Sequence, residues 1–318
     1  MAIALGRLNQ LPTDDGAITP YLWPTLKGKA PSLHSRKLIY VNGMATTQTA
    51  HKIAALCLSE LADSYVVGVY NLKGFAGYQY SLKKLPIILN DPSVSPTLKS
   101  TIRGLNEFAG FEDDLAQCAW DWTSRTSLWI QKLYDIASGM KDSDRYMFMK
   151  RCVSINAATE SLFFLLMEEL KQAPQIFLAC HSQGNLIASN AISAASWVLG
   201  RSLQEINVFA LASPATGWPG GARVKPYTNV QDPVTWLSLG YSQFGTDAFS
   251  WVTGKKPWKA NLEVPDVGIP GRPWTWFGAH SILQYIYQKD FIIDLRWAMR
   301  VAKGAPRGEP KSIAERFR

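Results

Sequence analysis

Gln175-Ile176-Phe177-Leu178-Ala179-Cys180 is an apolar run that passes through His181-Ser182-Gln183-Gly184 into the segment Asn185–Leu199. The run is short and apolar and predicts a buried strand. The segment after Gly184 predicts a helix, so Ser182 is placed on a tight strand-to-helix turn. Other apolar runs repeat the pattern. Strands are expected at Lys37–Val41, which runs into the turn Asn42-Gly43, and at Tyr65–Tyr70, Ile206–Leu211 and Tyr227–Val230. Helices are expected after the first of these, with Ala50, Ile53, Ala54, Cys57 and Leu61 on one face, and at Ala157–Lys171 and Ser281–Arg300. Strands alternating with helices imply an α/β fold with a mainly parallel sheet flanked by helices. In such sheets, sites form beyond the carboxyl ends of the strands.

Three segments stand outside this pattern. Residues 1–36, rich in Pro, Thr, Asp and Gly, read as an irregular arm. Residues 73–153 form a long insertion with helix-like pieces, Leu115/Cys118/Ala119/Trp122 and Trp129/Ile130/Leu133/Tyr134/Ala137, and are expected to fold as a helical cap over Ser182. Residues 304–318 form a basic tail after a catalytic domain spanning 37–303.

The chain has 318 residues, 47% of them apolar, which is enough for one large domain with a sizeable core. Its formal charge is +8, and seven Lys/Arg fall between Arg296 and Arg318. This charge favours contact with phosphate and leaves open peripheral contact with an anionic membrane. The bland alternative is a soluble protein with a basic surface. Four cysteines, Cys57, Cys118, Cys152 and Cys180, form no CxxC pair, which argues against a zinc site or a disulfide framework. Neither a secretory signal nor an apolar run of about 20 residues is visible. A cytoplasmic location is the expectation, with export by a signal-independent route left open.

The turn Cys180-His181-Ser182-Gln183-Gly184 resembles the nucleophile elbow of the α/β hydrolases, in which a serine stands exposed on a strained turn. Residues two before and two after the serine must be small. Gly184 meets the pattern, and Cys180 departs from glycine while remaining small. The competing reading is that Ser182 merely caps the helix. From about Lys37 to Tyr287 the chain is similar to the lipase/esterase branch of that family. Gly68-Val69-Tyr70-Asn71, Asp114-Leu115-Ala116-Gln117-Cys118 and Ala179–Gly184 also resemble a bacterial lipase-like group.

The resemblance implies an α/β-hydrolase fold and a triad in the order Ser, acid, His. Of the four histidines, His34, His51, His181 and His280, only His280 follows the acidic candidates and fits as base. His34 and His51 are expected to be dispensable. Between Ser182 and His280 the acids are Glu205, Asp232, Asp247, Glu263 and Asp266. Asp232 follows the strand Tyr227–Val230 and is the first choice to orient His280. An Asp-Pro turn would look the same, and Asp247 and Asp266 are the fallbacks. Backbone N–H groups of Gln183 and Met44 are expected to form the oxyanion hole. Asn42 stands near the place where lipases often carry a histidine.

No metal or cofactor is called for, and the expected partner is an ester or lipid substrate. Thr253-Gly254-Lys255-Lys256 lacks the glycine and the Ser/Thr of a phosphate-binding loop. Trp251, Lys255, Lys256, Trp258, Lys259, Arg272, Trp274 and Trp276 interleave aromatics with cations. They could stack bases or meet lipid, but simple loop packing is the better reading and no nucleic acid is expected. A non-catalytic binder on a hydrolase fold is the rival hypothesis.

Overall fold

The strand-turn-helix unit around Ser182 sits at the centre of a mixed sheet. The structure, a computed structural model, describes residues 7–28, 37–43, 46–72, 139–154, 156–213, 218, 221–229, 261–262 and 281–300. Among these described residues seven strands occur in chain order: β1 (Ile18–Tyr21), β2 (Lys37–Val41), β3 (Tyr65–Val69), β4 (Ile176–His181), β5 (Ile206–Leu211), β6 (Arg223–Thr228) and β7 (Asn261–Leu262). They lie side by side in the order β1-β3-β2-β4-β5-β6-β7. Only β1 runs antiparallel to its neighbour; every other pairing is parallel. The helices are α1 (Gln48–Ala62), α2 (Asp142–Val153), α3 (Ala157–Glu169), α4 (Gln183–Leu199), α5 (Ile282–Ile286) and α6 (Lys289–Arg300).

Alternation along the strands sends successive side chains to opposite faces, and each face is covered by helices. Ile39, Val41, Val67, Val69, Leu178, Cys180, Val208 and Ala210 share one core with residues of α2, α3 and α4. Leu38, Tyr40, Val66, Phe177, Ala179, Phe209 and Leu211 share the other with residues of α1, α5 and α6. Every residue of β4 and of β5 is buried, as expected of central parallel strands.

The sequence reading needs four adjustments. Residues 7–28 are not wholly irregular, because they supply β1. Pro20 hid that strand, and an edge position tolerates it. The Pro20 carbonyl accepts from Asn9 N at 2.9 Å, so the proline's missing N–H faces away from β3. Asn9 also pairs its side-chain amide with Leu22, donating to the carbonyl at 2.9 Å and accepting from N at 2.8 Å. Second, β6 begins at Arg223, four residues before the strand expected from sequence. Its polar front half, Arg223-Val224-Lys225-Pro226, carried no apolar signal.

Third, the buried face of α1 is built on His51, Ala54, Ala55, Leu58 and Leu61, while Ile53 is 47% exposed. Fourth, the end of the expected cap belongs to the helical layer: Phe148, Met149 and Val153 of α2 are buried in the core beside α3 and α4. The rest of that insertion, including Leu115, Trp122, Trp129, Leu133 and Tyr134, lies outside the described residues. So does the tail 304–318. Among the described residues no helix is long and apolar enough to cross a membrane.

Helix α6 is fastened to β6 by a buried carboxylate. Asp294, 2% exposed, accepts from Tyr227 Oη at 2.7 Å and forms an ion pair with Lys225 Nζ at 2.5 Å. Lys225 and Tyr227 are two residues apart, so one carboxylate can meet both on a single face. Removing one partner of a buried pair strands the other. Asp294→Ala is therefore expected to lower unfolding stability by roughly 3 kcal/mol in urea denaturation. A loss below about 0.5 kcal/mol would show the pair to be dispensable.

Candidate active site

Ser182 follows β4 directly and precedes the first residue of α4. Its backbone sits at φ 52°, ψ −126°. A side chain rarely adopts this region, and such outliers persist only where the surroundings over-determine them. An ordinary N-cap has extended backbone and accepts a hydrogen bond from the helix. Ser182 has neither, since its side chain makes no capping bond. The helix-cap explanation of this serine therefore fails. Its backbone N donates instead to Leu211 O at 3.0 Å. Asn185 Nδ2 clamps the turn from within by donating to both Ser182 O and Leu211 O at 3.0 Å.

The two small residues expected around the turn are both constrained. A Cβ on Gly184 would collide with Val41 O and lie 2.9 Å from the Val41 carbonyl carbon. Helix α4 thus starts pressed against the end of β2. Cys180 is fully buried between Val41 and Ala210 on the neighbouring strands. Burial pushes its thiol well above the usual range, so it stays protonated and inert. Gly43, expected from sequence as part of the turn after β2, is a third small residue at this site. A Cβ there would lie 2.6 Å from Ser182 Cβ. The loop after β2 therefore borders the serine, and Met44, the next residue, lies just outside the described residues.

Around this turn the strand ends carry polar residues. Asn42, after β2, is fully buried and makes four hydrogen bonds. Its Nδ2 donates to Gly43 O at 2.8 Å and Asn71 O at 2.7 Å, and its Oδ1 accepts from Asn71 N at 2.9 Å and from His51 Nδ1 at 2.8 Å. Asn71, after β3, donates from Nδ2 to Gln183 Oε1 at 2.6 Å. Gln183 is 1% exposed. As the first residue of α4, it has a backbone N–H with no partner inside the helix.

His51 is packed in an aromatic box. Tyr40 stacks on it at 5.1 Å, and Tyr21 and Tyr70 meet it edge-on at 5.7 and 5.2 Å. Gly68 leaves the space for the ring, since a Cβ there would strike Nε2. Burial pushes the His51 pKa down to about 3, so the ring is neutral at any working pH.

Of the acids weighed from sequence, Glu205 is set aside. It precedes β5, at the opposite edge of the sheet from Ser182 and about 20 Å away along a six-residue strand. It forms an ion pair with Arg201 at 2.6 Å. Asp232, Asp247, Glu263, Asp266 and His280 lie outside the described residues. Described residues near Asp232 and His280 in the chain meet. Tyr285 of α5, five residues after His280, accepts a hydrogen bond from Asn229 N at 3.2 Å, and Asn229 stands three residues before Asp232. The same Tyr285 ring lies 5.9 Å from the ring of His181. No group of three or more metal-ligating side chains occurs among the described residues.

The sequence reading missed Asn42 as a clamp, Asn71, Asn185 and the structural weight of His51. Asn42 and Asn71 each follow a parallel strand at its carboxyl end, and that position was the available signal. No protein-family model, curated protein or solved structure gives a significant match to this chain.

Two stability predictions follow from the geometry. In the backbone conformation of Ser182 a glycine is relieved and an alanine is not. Ser182→Gly should be more stable than Ser182→Ala by about 1 kcal/mol in urea denaturation, reversing the usual order. The alanine variant proving the more stable would mean the turn is unstrained.

The second concerns His51. Its folded pKa of about 3 lies below the ordinary 6.5, so the unfolded chain takes up the proton first. Stability should fall as pH drops below about 6.5, by up to about 1.4 kcal/mol per pH unit. The stability difference between pH 7 and pH 5 should shrink in His51→Gln. An unchanged difference would place the acid sensitivity elsewhere.

Proposed function

We propose that this protein is a serine hydrolase with an α/β-hydrolase fold that cleaves carboxylic esters through an acyl-enzyme on Ser182. The observation that carries the reading is the backbone of Ser182 at φ 52°, ψ −126° without a capping bond. A strained serine between a buried parallel strand and a helix has no structural advantage over glycine, and strain of this kind marks functional positions. The strand-to-helix turn, the small residues packed around it and the bordering loop after β2 support the fold assignment.

In the proposed mechanism His280 takes the proton from Ser182 Oγ as that oxygen bonds to the ester carbonyl carbon. The carbonyl oxygen becomes an oxyanion, received by the backbone N–H groups of Gln183 and Met44. The start of α4 adds the positive end of the helix dipole. Collapse of the intermediate breaks the bond to the leaving alkoxide, which takes the proton from His280. Water then repeats the sequence on the acyl-enzyme, regenerating Ser182 and releasing the acid. Asp232 orients His280 and stabilises its charged form, with Asp247 and Asp266 as alternates. An acyl-chain substrate, a cap formed by the insertion and peripheral contact with an anionic membrane belong to the same proposal. Their support is the resemblance to lipases and the basic charge.

The test is labelling with a fluorophosphonate probe alongside turnover of p-nitrophenyl esters of increasing chain length. Wild type should be labelled and Ser182→Ala should not. Turnover should fall by about 10⁴-fold or more in Ser182→Ala and in His280→Ala. Asp232→Asn should be severe, while Asp247→Asn and Asp266→Asn remain active. Undiminished turnover in Ser182→Ala would sink the proposal. An unlabelled, inactive wild type would favour a non-catalytic binder.

A further inference from the structure

We infer that His51, Asn42 and Asn71 are positioning residues that hold the proposed oxyanion donor Gln183 in register with the ends of β2 and β3 through one buried hydrogen-bond chain. The inference rests on the hydrolase reading and adds to it residues outside the proposed triad and oxyanion donors.

The polarity of the chain follows from its geometry. Asn71 N–H can only donate, so the Asn42 atom 2.9 Å from it is the amide oxygen. That oxygen cannot donate, so His51 Nδ1, 2.8 Å away, must carry a hydrogen. The aromatic box and the desolvated ring keep His51 neutral in this tautomer. Asn42 Nδ2 in turn fixes Gly43 O and Asn71 O, at 2.8 and 2.7 Å. Its amide thus extends the ladder between β2 and β3 beyond the last strand pair, Val41 with Val69. Asn71 Nδ2 then grips Gln183 Oε1 at 2.6 Å.

One end of this chain is the proposed donor residue Gln183, and a branch of it fixes Gly43 beside Ser182. Asn42 bonds directly to Gly43, which precedes Met44 and presses on Ser182. Asn71 holds the side chain of Gln183, the residue after the nucleophile. A shift of α4 relative to β2 would move the Gln183 N–H away from its place beside Ser182, and the chain resists that shift. A lone structural bond would link two elements, whereas this one ties the start of α1 and the ends of β2 and β3 to the first residue of α4. Gln183 Nε2 is buried beside the nucleophile with no partner among the described residues.

The decisive variant is Asn71→Ala, which removes the grip on Gln183 and keeps the Asn71 backbone bonds to Asn42. With p-nitrophenyl butyrate, kcat should fall about 10–100-fold while KM changes by less than about 3-fold. Inhibition by butaneboronic acid, whose adduct with the serine places an oxygen in the oxyanion site, should weaken by a similar factor. A second pair guards against misfolding. His51→Gln, which retains a donor for Asn42, should keep kcat within about 3-fold of wild type, and His51→Phe should lose about 10-fold or more. Wild-type kcat and boronate affinity in folded Asn71→Ala would overturn the inference, as would equal activity in the two His51 variants. The hydrolase reading fails on a separate result, namely wild-type protein that shows no Ser182-dependent turnover.

Discussion

Helix α4 begins closer to the end of β2 than a side chain allows, and the rest of the site follows from that approach. Gly184 lies against the Val41 carbonyl, and Gly43 lies against Ser182. With both positions reduced to glycine, the serine stands where two segments approach closely, and it does not take the ordinary capping geometry. It is held in a backbone conformation that costs on the order of 1–3 kcal/mol. The surrounding sheet supplies the restraint. Ser182 N is bound to β5 through Leu211 O, and Asn185 clamps the same carbonyl from the first turn of the helix.

A turn held so tightly transmits position to its neighbours. The polar residues after β2 and β3 are buried, where an unsatisfied polar group is costly. Asn42 makes four bonds in the space of one side chain, which removes the alternatives open to the loop that follows it. His51 contributes its one hydrogen and is itself confined by Tyr21, Tyr40 and Tyr70. The low polarity of this box keeps the ring uncharged and makes each of its contacts stiffer than it would be in water. Electrostatic stabilisation of a transition state depends on donors that do not have to reorganise, and stiffness of this kind is its structural requirement.

Strands β2 to β5 were legible in the sequence to within a residue because they are buried on both faces and read as largely apolar runs. The sheet's margins were not. Ile18–Tyr21 contains a proline, and the front half of β6 carries Arg223 and Lys225, so neither has the pattern of a central strand. On α1 the expected apolar face held Ala54 and Leu61, which are buried, but also Ile53, which faces outward, because a histidine was not counted as core. His51 is buried by aromatic packing and by one hydrogen bond to a residue nine positions earlier, neither of which has a local signature. The turn at Ser182 was legible because its steric demands are local. The grip of Asn71 on Gln183 joins residues 112 apart in the chain and could come only from the fold.

The outer rim of β1 carries a further consequence. Parallel sheets end in edges whose open backbone groups can recruit a strand from another molecule. Here Pro20 offers no N–H, its carbonyl is taken by Asn9 N, and both backbone groups of Leu22 are taken by the Asn9 amide. Asn9 adopts a positive φ of 58° to reach them. One asparagine thus acts as a stopper for the sheet. Its loss would leave an adhesive border next to a large buried core, so the cost of changing Asn9 would appear as self-association before it appeared as unfolding.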